Sequence, residues 1–466
     1  MAFIFLFGII FYSKKEAALQ VGGWWRGVGF KGGKVDDITI YNRELSPFEI
    51  SILANKASWK TVAKKTAGDL NEAEKKILKD YYIGVEDKYI EAEKQTLIKF
   101  RTELSDSTEK IPEIMVMQEM AKPKKSTIFL RGQYNAPGTE VFPNTPAAVL
   151  EFKNNLPKNR WGLAQWLTHE EHPLTSRVAV NRMWQIFFGT GLVKTAEDFG
   201  NQGEMPSNPA LLDWLAVNFR ESGWDLKRLN KMIVMSATYR QDSYASASLK
   251  ELDPENRLLA RGPANRLSAE MIRDNALVAS GLINRKIGGK SIKPYKPDGL
   301  WEINSATYKQ DTTDEVYRRS LYVIVKRSVP NPTLSIFDAS SRSSCLVRRQ
   351  KTNTPIQALV TLNDPGFLEA AKVMGEAMSL EKDIDKSIHD AYRKLTGIHP
   401  TATQVSLLKK LREVELDKFR QSPEKTKGWL KAGLYAVKKT QDMPLVAANA
   451  VVASTILNSD ATITKR

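Results

Sequence analysis

Asn208-Pro209, Asp253-Pro254, Thr354-Pro355 and Asp364-Pro365 each set a helix-capping side chain directly before a proline. A capping oxygen accepts from the open N–H groups of a first turn, and proline there has its φ preset and gives up no helical bond. Each pair therefore predicts a helix start. His172-Pro173 is a weaker fifth, because histidine is not a favoured cap. Apolar residues between these signals recur at helical spacing: Leu211, Leu215 and Phe219; Leu226, Leu229 and Ile233, closing at Ser236; and Ile384, Ile388, Ala391 and Leu395, ended by Gly397. The chain is expected to be mainly α with small β elements, a helical domain with long ordered loops over residues 159–466. One strand is predicted inside it, "RRSLYVIVKRS" from Arg318 to Ser328, rich in β-branched and aromatic residues. No period of 20–50 residues recurs, which argues against a solenoid.

Upstream the character changes. Met1 to Tyr12 is almost wholly apolar and Lys14 and Lys15 follow it. That run is short of the roughly 20 residues of a membrane span. It also has its charges on the wrong side for a signal peptide. An anchor or leader stands there against a buried strand or a misplaced start. Val21 to Lys56 reads as β-rich, with Val35, Ile38 and Ile40 among polar residues, and Ser46-Pro47 opens a short helix. "GVGFKG", Gly27 to Gly32, matches Gly-x-Gly-x-x-Gly, but a β-pattern follows where a dinucleotide fold demands a helix, so these are turn glycines. Residues 57–115 predict a charged helical hairpin in which Gly84 separates two helices. Residues 116–158 read as a proline-rich connector. Short β-runs fall at Ile114 to Met117 and Thr127 to Leu130, and "YNAPGTEVFPNTP" is an ordered loop.

Lys and Arg outnumber Asp and Glu, 69 to 53, a formal net charge of +16. Such a field draws anions: nucleic acid, acidic lipid, an acidic protein, or a sulfated or carboxylated glycan. Cys345 is the single cysteine, so no intrachain disulfide and no Cys-x-x-Cys-His haem attachment can form. A buried thiol is the expectation for it, with Arg348 and Arg349 near enough to lower its pKa were it reactive. His169, His172, His389 and His399 do not make a ligand cluster by spacing, and no metal is expected. "GGKS", Gly288 to Ser291, copies the end of a P-loop without its first glycine or its strand.

What remains is polar side chains on helices. In "HPLTSRVAVNRMWQIFFGTGLVKTAEDFG", His172 to Gly200, Arg177, Asn181, Trp184 and Phe188 share one helical face. Glu197, Asp198 and Glu204 follow in a glycine loop. Glu270 and Asp274, four apart, need a cation between them, and Arg266 and Arg273 are near. Arg240, Arg348 and Arg349 complete the arginine set. The five carboxylates are candidates for acid–base work, as in glycan cleavage. Arg177, Asn181, Trp184, Arg240, Arg266, Arg273, Arg348 and Arg349 are candidates for binding, with Trp184 as a stacking platform. The competing reading makes them clasps: Arg177 to Asp198, Arg273 to Glu270, with Val178, Met183, Ile186 and Phe187 anchoring the helix. The clasp reading is preferred.

"HPLTSRVAVNRMWQIFFGTGLVKTAEDFGNQGEMPSNPALLDWLA", "WDLKRLNKMIVMSATYRQDS", "DPENRLLARGPANRLSAEMIRDNAL", "YRRSLYVIVKR", "VRRQKTNTPIQALVTLNDPGF" and "ILNSDATITKR" occur in this order. Together they resemble the planctomycete-type PSD domain of unknown function over roughly Thr127 to Arg466. "FKGGKVDDITIYNRELSPFEI" is similar to the closing hairpin of a LamG-type, concanavalin-like module. The resemblance implies companion modules upstream, a haem-bearing cytochrome c among them. It also implies a place in the periplasm, cell envelope or medium, and a link to polysaccharide breakdown. One hairpin cannot close a sandwich, so the chain is expected to be the C-terminal part of a longer product, with no cofactor of its own.

Three functions follow as expectations. The first is an extracytoplasmic binding and assembly module that holds an anionic or hydroxyl-rich glycan or docks on haem-bearing and lectin-like companions. The second is a carbohydrate-active enzyme using Glu or Asp with Arg. The third, from charge alone, is nucleic-acid binding, and no nucleic-acid motif accompanies it. Membrane contact would rest on residues 1–12 alone.

Overall fold

The computed structural model describes residues 39–41, 45–53, 62, 64–122, 124–297, 308–438 and 442–465. The apolar start, the glycine turn at 27–32 and most of the LamG-like hairpin lie outside them. The chain forms two compact units, residues 1–124 and 125–466. The connector expected at 116–158 is divided between the two.

In the first unit, α1 (Pro47–Leu53) starts at the predicted Ser46-Pro47 step, where Glu49 accepts from the Ser46 N–H and hydroxyl. The hairpin is α2 (Glu72–Tyr81) and α3 (Lys88–Thr108), joined by a π-turn, Tyr82–Glu86, that contains Gly84. Asn71 and Glu74 close a capping box on α2, and Asp87 caps α3. Ile114 to Met117 is not a strand: all four residues are exposed and without secondary structure.

The second unit opens with a bulged antiparallel pair, β1 (Ser126–Phe129) and β2 (Pro137–Val141). Thus the "YNAPGTEVFPNTP" segment, read as loop, contains a strand. Two helical layers follow. The first holds α4 (Arg160–Leu167), α5 (Thr175–Phe188), α6 (Pro209–Glu221) and α7 (Leu226–Met235). Its core is Val180, Trp184, Phe188, Leu192, Leu215 and Ile233 with their neighbours. After α8 (Ala247–Leu252) comes β3 (Asn265–Arg266), which leads into α9 (Ala269–Ser280).

The second layer is built on α9, α10 (Pro332–Ile336), α11 (Pro355–Asn363), α12 (Pro365–Leu380), α13 (Ile384–Thr396), α14 (Ala402–Gln421), α15 (Pro423–Leu430) and α16 (Met443–Leu457). α16 is mostly apolar and largely buried from Val446 to Leu457, as a central helix must be. α17 (Asp460–Ile463) leads into β4 (Thr464–Lys465), which pairs antiparallel with β3 and ties the C-terminus back to the junction of the two layers.

Helices start where Pro209, Pro355 and Pro365 predict. Pro254 instead opens a turn, because the Asp253 carboxylate bonds the Arg257 and Leu258 N–H groups, farther along than a helix cap reaches. The strand expected at Arg318–Ser328 is absent. A 3₁₀ turn at Asp314–Tyr317 precedes that segment and another at Ser320–Tyr322 lies within it, with isolated parallel bridges at Asn284–Arg318 and Ile292–Val323. Arg318 explains the difference. Its side chain is buried, donates to the Lys286, Gly288 and Lys290 carbonyls, and stacks over Tyr322. The backbone turns around that guanidinium, and the "GGKS" glycines form the rim that receives it. Among the described residues no helix is long and apolar enough to cross a membrane.

Candidate functional site

The candidate residues fall into two groups. α5 carries the first, and the expectation for its faces holds in part: Met183 and Phe187 pack against the core. Val178 and Ile186 are 38% and 53% exposed, whereas Asn181 is 1% exposed and Trp184 is buried. Trp184 stacks on Phe188 at 4.2 Å inside the core, so it is not an open platform for a ligand. Asn181 lies among apolar side chains because its amide is fully used. Nδ2 donates to the Val193 carbonyl at 3.0 Å, and Oδ1 accepts the Val193 N–H at 2.9 Å. The amide thus pairs with the start of the glycine loop as one strand pairs with another, and burial without a partner would be costly.

Arg177 reaches Asp213 on α6 at 2.7 Å, not Asp198. Asp198 caps the Gly200 N–H, and Thr195 donates to the Asp198 carbonyl while accepting the Glu204 N–H. Gly203 is required there, since a Cβ would fall 2.1 Å from the Asp198 carbonyl oxygen. Glu204 and Arg240 are exposed.

α9 carries the second group. Arg273 donates to the Val316 and Arg318 carbonyls at 2.8 and 2.9 Å and to the Ser320 hydroxyl at 3.2 Å, and does not pair with Glu270. Asp274 accepts the Ser320 N–H at 2.7 Å. Arg266 donates to Gln357 at 2.6 Å, and Gln357 in turn donates to Ile336 and Thr352. Glu270 takes Arg349 at 2.7 Å, and Glu197 takes Arg348 at 3.3 Å. Burial pushes the Glu270 carboxyl up, but the bonds from Arg349, its own backbone N–H and Ser268 outweigh it and hold the group below its ordinary value. Hence Arg177, Glu270 and Arg273 do not meet in one hollow.

Arg273 does line a cavity of about 280 Å³, with Tyr295, Tyr317, Phe367, Asp364 and Glu369. Its walls are mostly apolar, and its charges are already bonded. Asp364 accepts from Thr333 and from the Gly366 N–H. Glu369 accepts from the Tyr317 hydroxyl at 2.8 Å and from the Leu434 and Tyr435 N–H groups at 2.5 Å. Burial, then the Glu369 bond and charge, push the Tyr317 phenol well above its ordinary value, so it serves as a neutral donor. Such a cavity can bind, but it offers no free acid–base pair.

Sequence reasoning missed the row that closes it. Glu369, Lys372 and Glu376 lie on one buried face of α12. Lys372 donates to the Leu430, Ala432 and Tyr435 carbonyls. Glu376 accepts from the Tyr435 hydroxyl at 2.5 Å and the Lys438 N–H at 3.0 Å. Burial lowers the Lys372 pKa while Glu369 and Glu376 oppose that shift. The signal was present: three charges at positions i, i+3 and i+7 of an otherwise apolar helix.

Two single residues need correction or precision. Cys345 is exposed, not buried. His172 is buried against Trp166, and its Nδ1 accepts the Leu174 and Thr175 N–H groups at the start of α5, whose own cap residue, Leu174, has no side-chain acceptor. Burial, then the nearby His169, lowers its pKa. The folded state therefore favours neutral His172, and stability is expected to fall as pH drops through the unfolded value of about 6.5. His172→Asn keeps a capping acceptor without the titration. An unfolding midpoint that loses as much between pH 7 and pH 5 in that variant as in the parent would remove the assignment.

Among the described residues no group of three or more His, Cys, Asp or Glu is placed to hold a metal ion. No curated protein and no solved structure matches the chain. Residues 159–412, which take in both groups of candidates, match the family model described as PSD1, protein of unknown function (DUF1553), and the chain belongs to that family.

Proposed function

We propose that this protein is a binding and assembly module acting outside the cytoplasm, holding an anionic glycan during polysaccharide processing beside haem-bearing and lectin-like companions. The support is the loop 341–351, exposed throughout and carrying Arg342, Arg348, Arg349 and Lys351. Among the described residues Arg348 pairs with the exposed Glu197 and Arg349 with the part-buried Glu270. An exposed pair such as Arg348–Glu197 is worth little, about 0–1 kcal/mol, so a polyanion can displace it. The guanidinium fork suits the planar oxygens of carboxylate and sulfate. The overall charge of +16 adds long-range attraction.

Of the candidate carboxylates, Asp198 and Asp274 accept backbone N–H groups, and Glu197 and Glu270 are taken by the loop arginines themselves. That favours binding over an acid–base reaction. Retention on a sulfated-glycan column at low salt, with elution at lower salt for R348A/R349A, is the expected result. Passage of the parent protein through the column at low salt would overturn the reading. Equal retention on a DNA column of matched charge density would shift the function to nucleic acid.

A further inference from the structure

We propose that the cavity between the C-terminal end of α5 and the 250–265 segment is a second binding site, one that takes a small hydroxy acid of the sugar-acid type. The cavity has a volume of about 430 Å³ and is lined by Phe188, Lys250, Asn256, Arg261 and Asn265 among others. None of these residues belongs to the basic loop or to the Arg273 cavity. Three of the residues that line it each carry a buried polar atom with no hydrogen-bond partner: Asn256 Oδ1, Arg261 Nη1 and Asn265 Nδ2. Buried groups left unsatisfied are rare, and each costs about 1–3 kcal/mol. Three on one cavity mark a place whose partners come from elsewhere.

The frame around them is rigid. Arg261 is fixed by its other nitrogen, which donates to the Asp253 and Pro254 carbonyls at 2.9 Å. Asn256 holds a left-handed backbone at φ 55 and donates to the Arg261 carbonyl at 2.8 Å. The Asn265 side chain sits directly against Gly189, where a Cβ would fall 2.0 Å from its Oδ1. Gly262 passes so close to the Gln241 carbonyl that a Cβ would lie 2.2 Å from the oxygen.

The chemistry of the wall selects the ligand. Arg261 and Asn265 offer N–H donors, and Lys250, exposed and without an ion pair among the described residues, adds a cation. Those three call for a carboxylate. Asn256 Oδ1 calls for a donor, which a hydroxyl supplies. Glu255 also lines the cavity, but Lys194 neutralises it at 2.8 Å. Phe188, its far side stacked on Trp184, gives an apolar wall for the C–H face of a ring. A neutral sugar would leave Arg261 and Lys250 without a counter-charge. An aliphatic acid would leave Asn256 without a donor.

The test is calorimetric titration of the full chain with galacturonate and glucuronate, and with glucose and acetate as controls. Saturable binding of at least one sugar acid is expected, about tenfold or more tighter than for glucose or acetate, the weight of one charge-assisted bond. Lys250→Ala should weaken it several-fold. Asn265→Ala removes an amide whose Nδ2 has no hydrogen-bond partner in the unliganded fold. It should leave the unfolding midpoint unchanged or raised, and still weaken sugar-acid binding about tenfold. No saturable binding of either acid, equal affinity for glucose, or an Asn265→Ala variant that binds as the parent does would each overturn the proposal. Retention on the sulfated-glycan column reads the basic loop instead, so the two ideas fail separately.

Discussion

Lys372→Ala is expected to cost about 3–5 kcal/mol of folding stability, the range for removing one member of a buried charged set. The side chain is 0% exposed and its ammonium donates to three carbonyls of the 430–435 segment. Alanine would leave those carbonyls unmet and leave Glu369 and Glu376, both buried, without the cation between them. Lys372→Met fills the volume without the charge, so the difference between the two variants separates packing from bonding. Hydrogen exchange gives the local readout. The Leu434, Tyr435 and Lys438 amides, held by Glu369 and Glu376, should exchange faster in both variants than in the parent. Unchanged protection at those three amides, with a denaturation midpoint close to the parent's, would show that the row of charges does not hold the segment.

This row also shows where a sequence stops being readable. A helix from Pro365 was legible because capping and proline geometry are local: Asp364 and Pro365 are neighbours, and the bond from the Gly366 N–H follows. Apart from Tyr317, upstream, the partners of Glu369, Lys372 and Glu376 lie some 60 residues downstream, and most are backbone groups that no side-chain pattern advertises. The same reason defeated the reading of α5. Asn181 looks polar in sequence, yet Val193 satisfies it so fully that it belongs to the apolar side, and the helix turns its Val178 and Ile186 face outward instead. Arg318 broke a β-pattern by the same means, drawing three carbonyls around itself where the residue types favoured a strand. That the arginines would take partners within the fold was legible, because helices with long loops need such bonds. Which carboxylate each arginine would take was not: Arg177 found Asp213, and Glu270 found Arg349.

Gly375→Ala tests the closest helix contact of the second layer, and its sign runs against helix propensity. Alanine in a helix interior is ordinarily better than glycine by about 1 kcal/mol. At position 375 of α12 the added Cβ would fall 2.5 Å from the Ala450 nitrogen and 2.7 Å from the Val446 carbonyl oxygen of α16. Both are backbone atoms of a largely buried helix, so neither can turn away as a side-chain tip would. The helices must separate, and Met374, Met378, Val452 and Ile456 lose packing as they do. Overpacking of this kind costs about 1–3 kcal/mol and exceeds the propensity gain. Gly428→Ala in α15 is the control, because nothing lies within 4 Å of its Cβ position. It is expected to stabilise by about 0.5–1 kcal/mol. Opposite shifts of the urea midpoint are therefore expected from the same substitution at two helical glycines. A stabilised Gly375→Ala variant would mean that α12 and α16 do not approach this closely in solution.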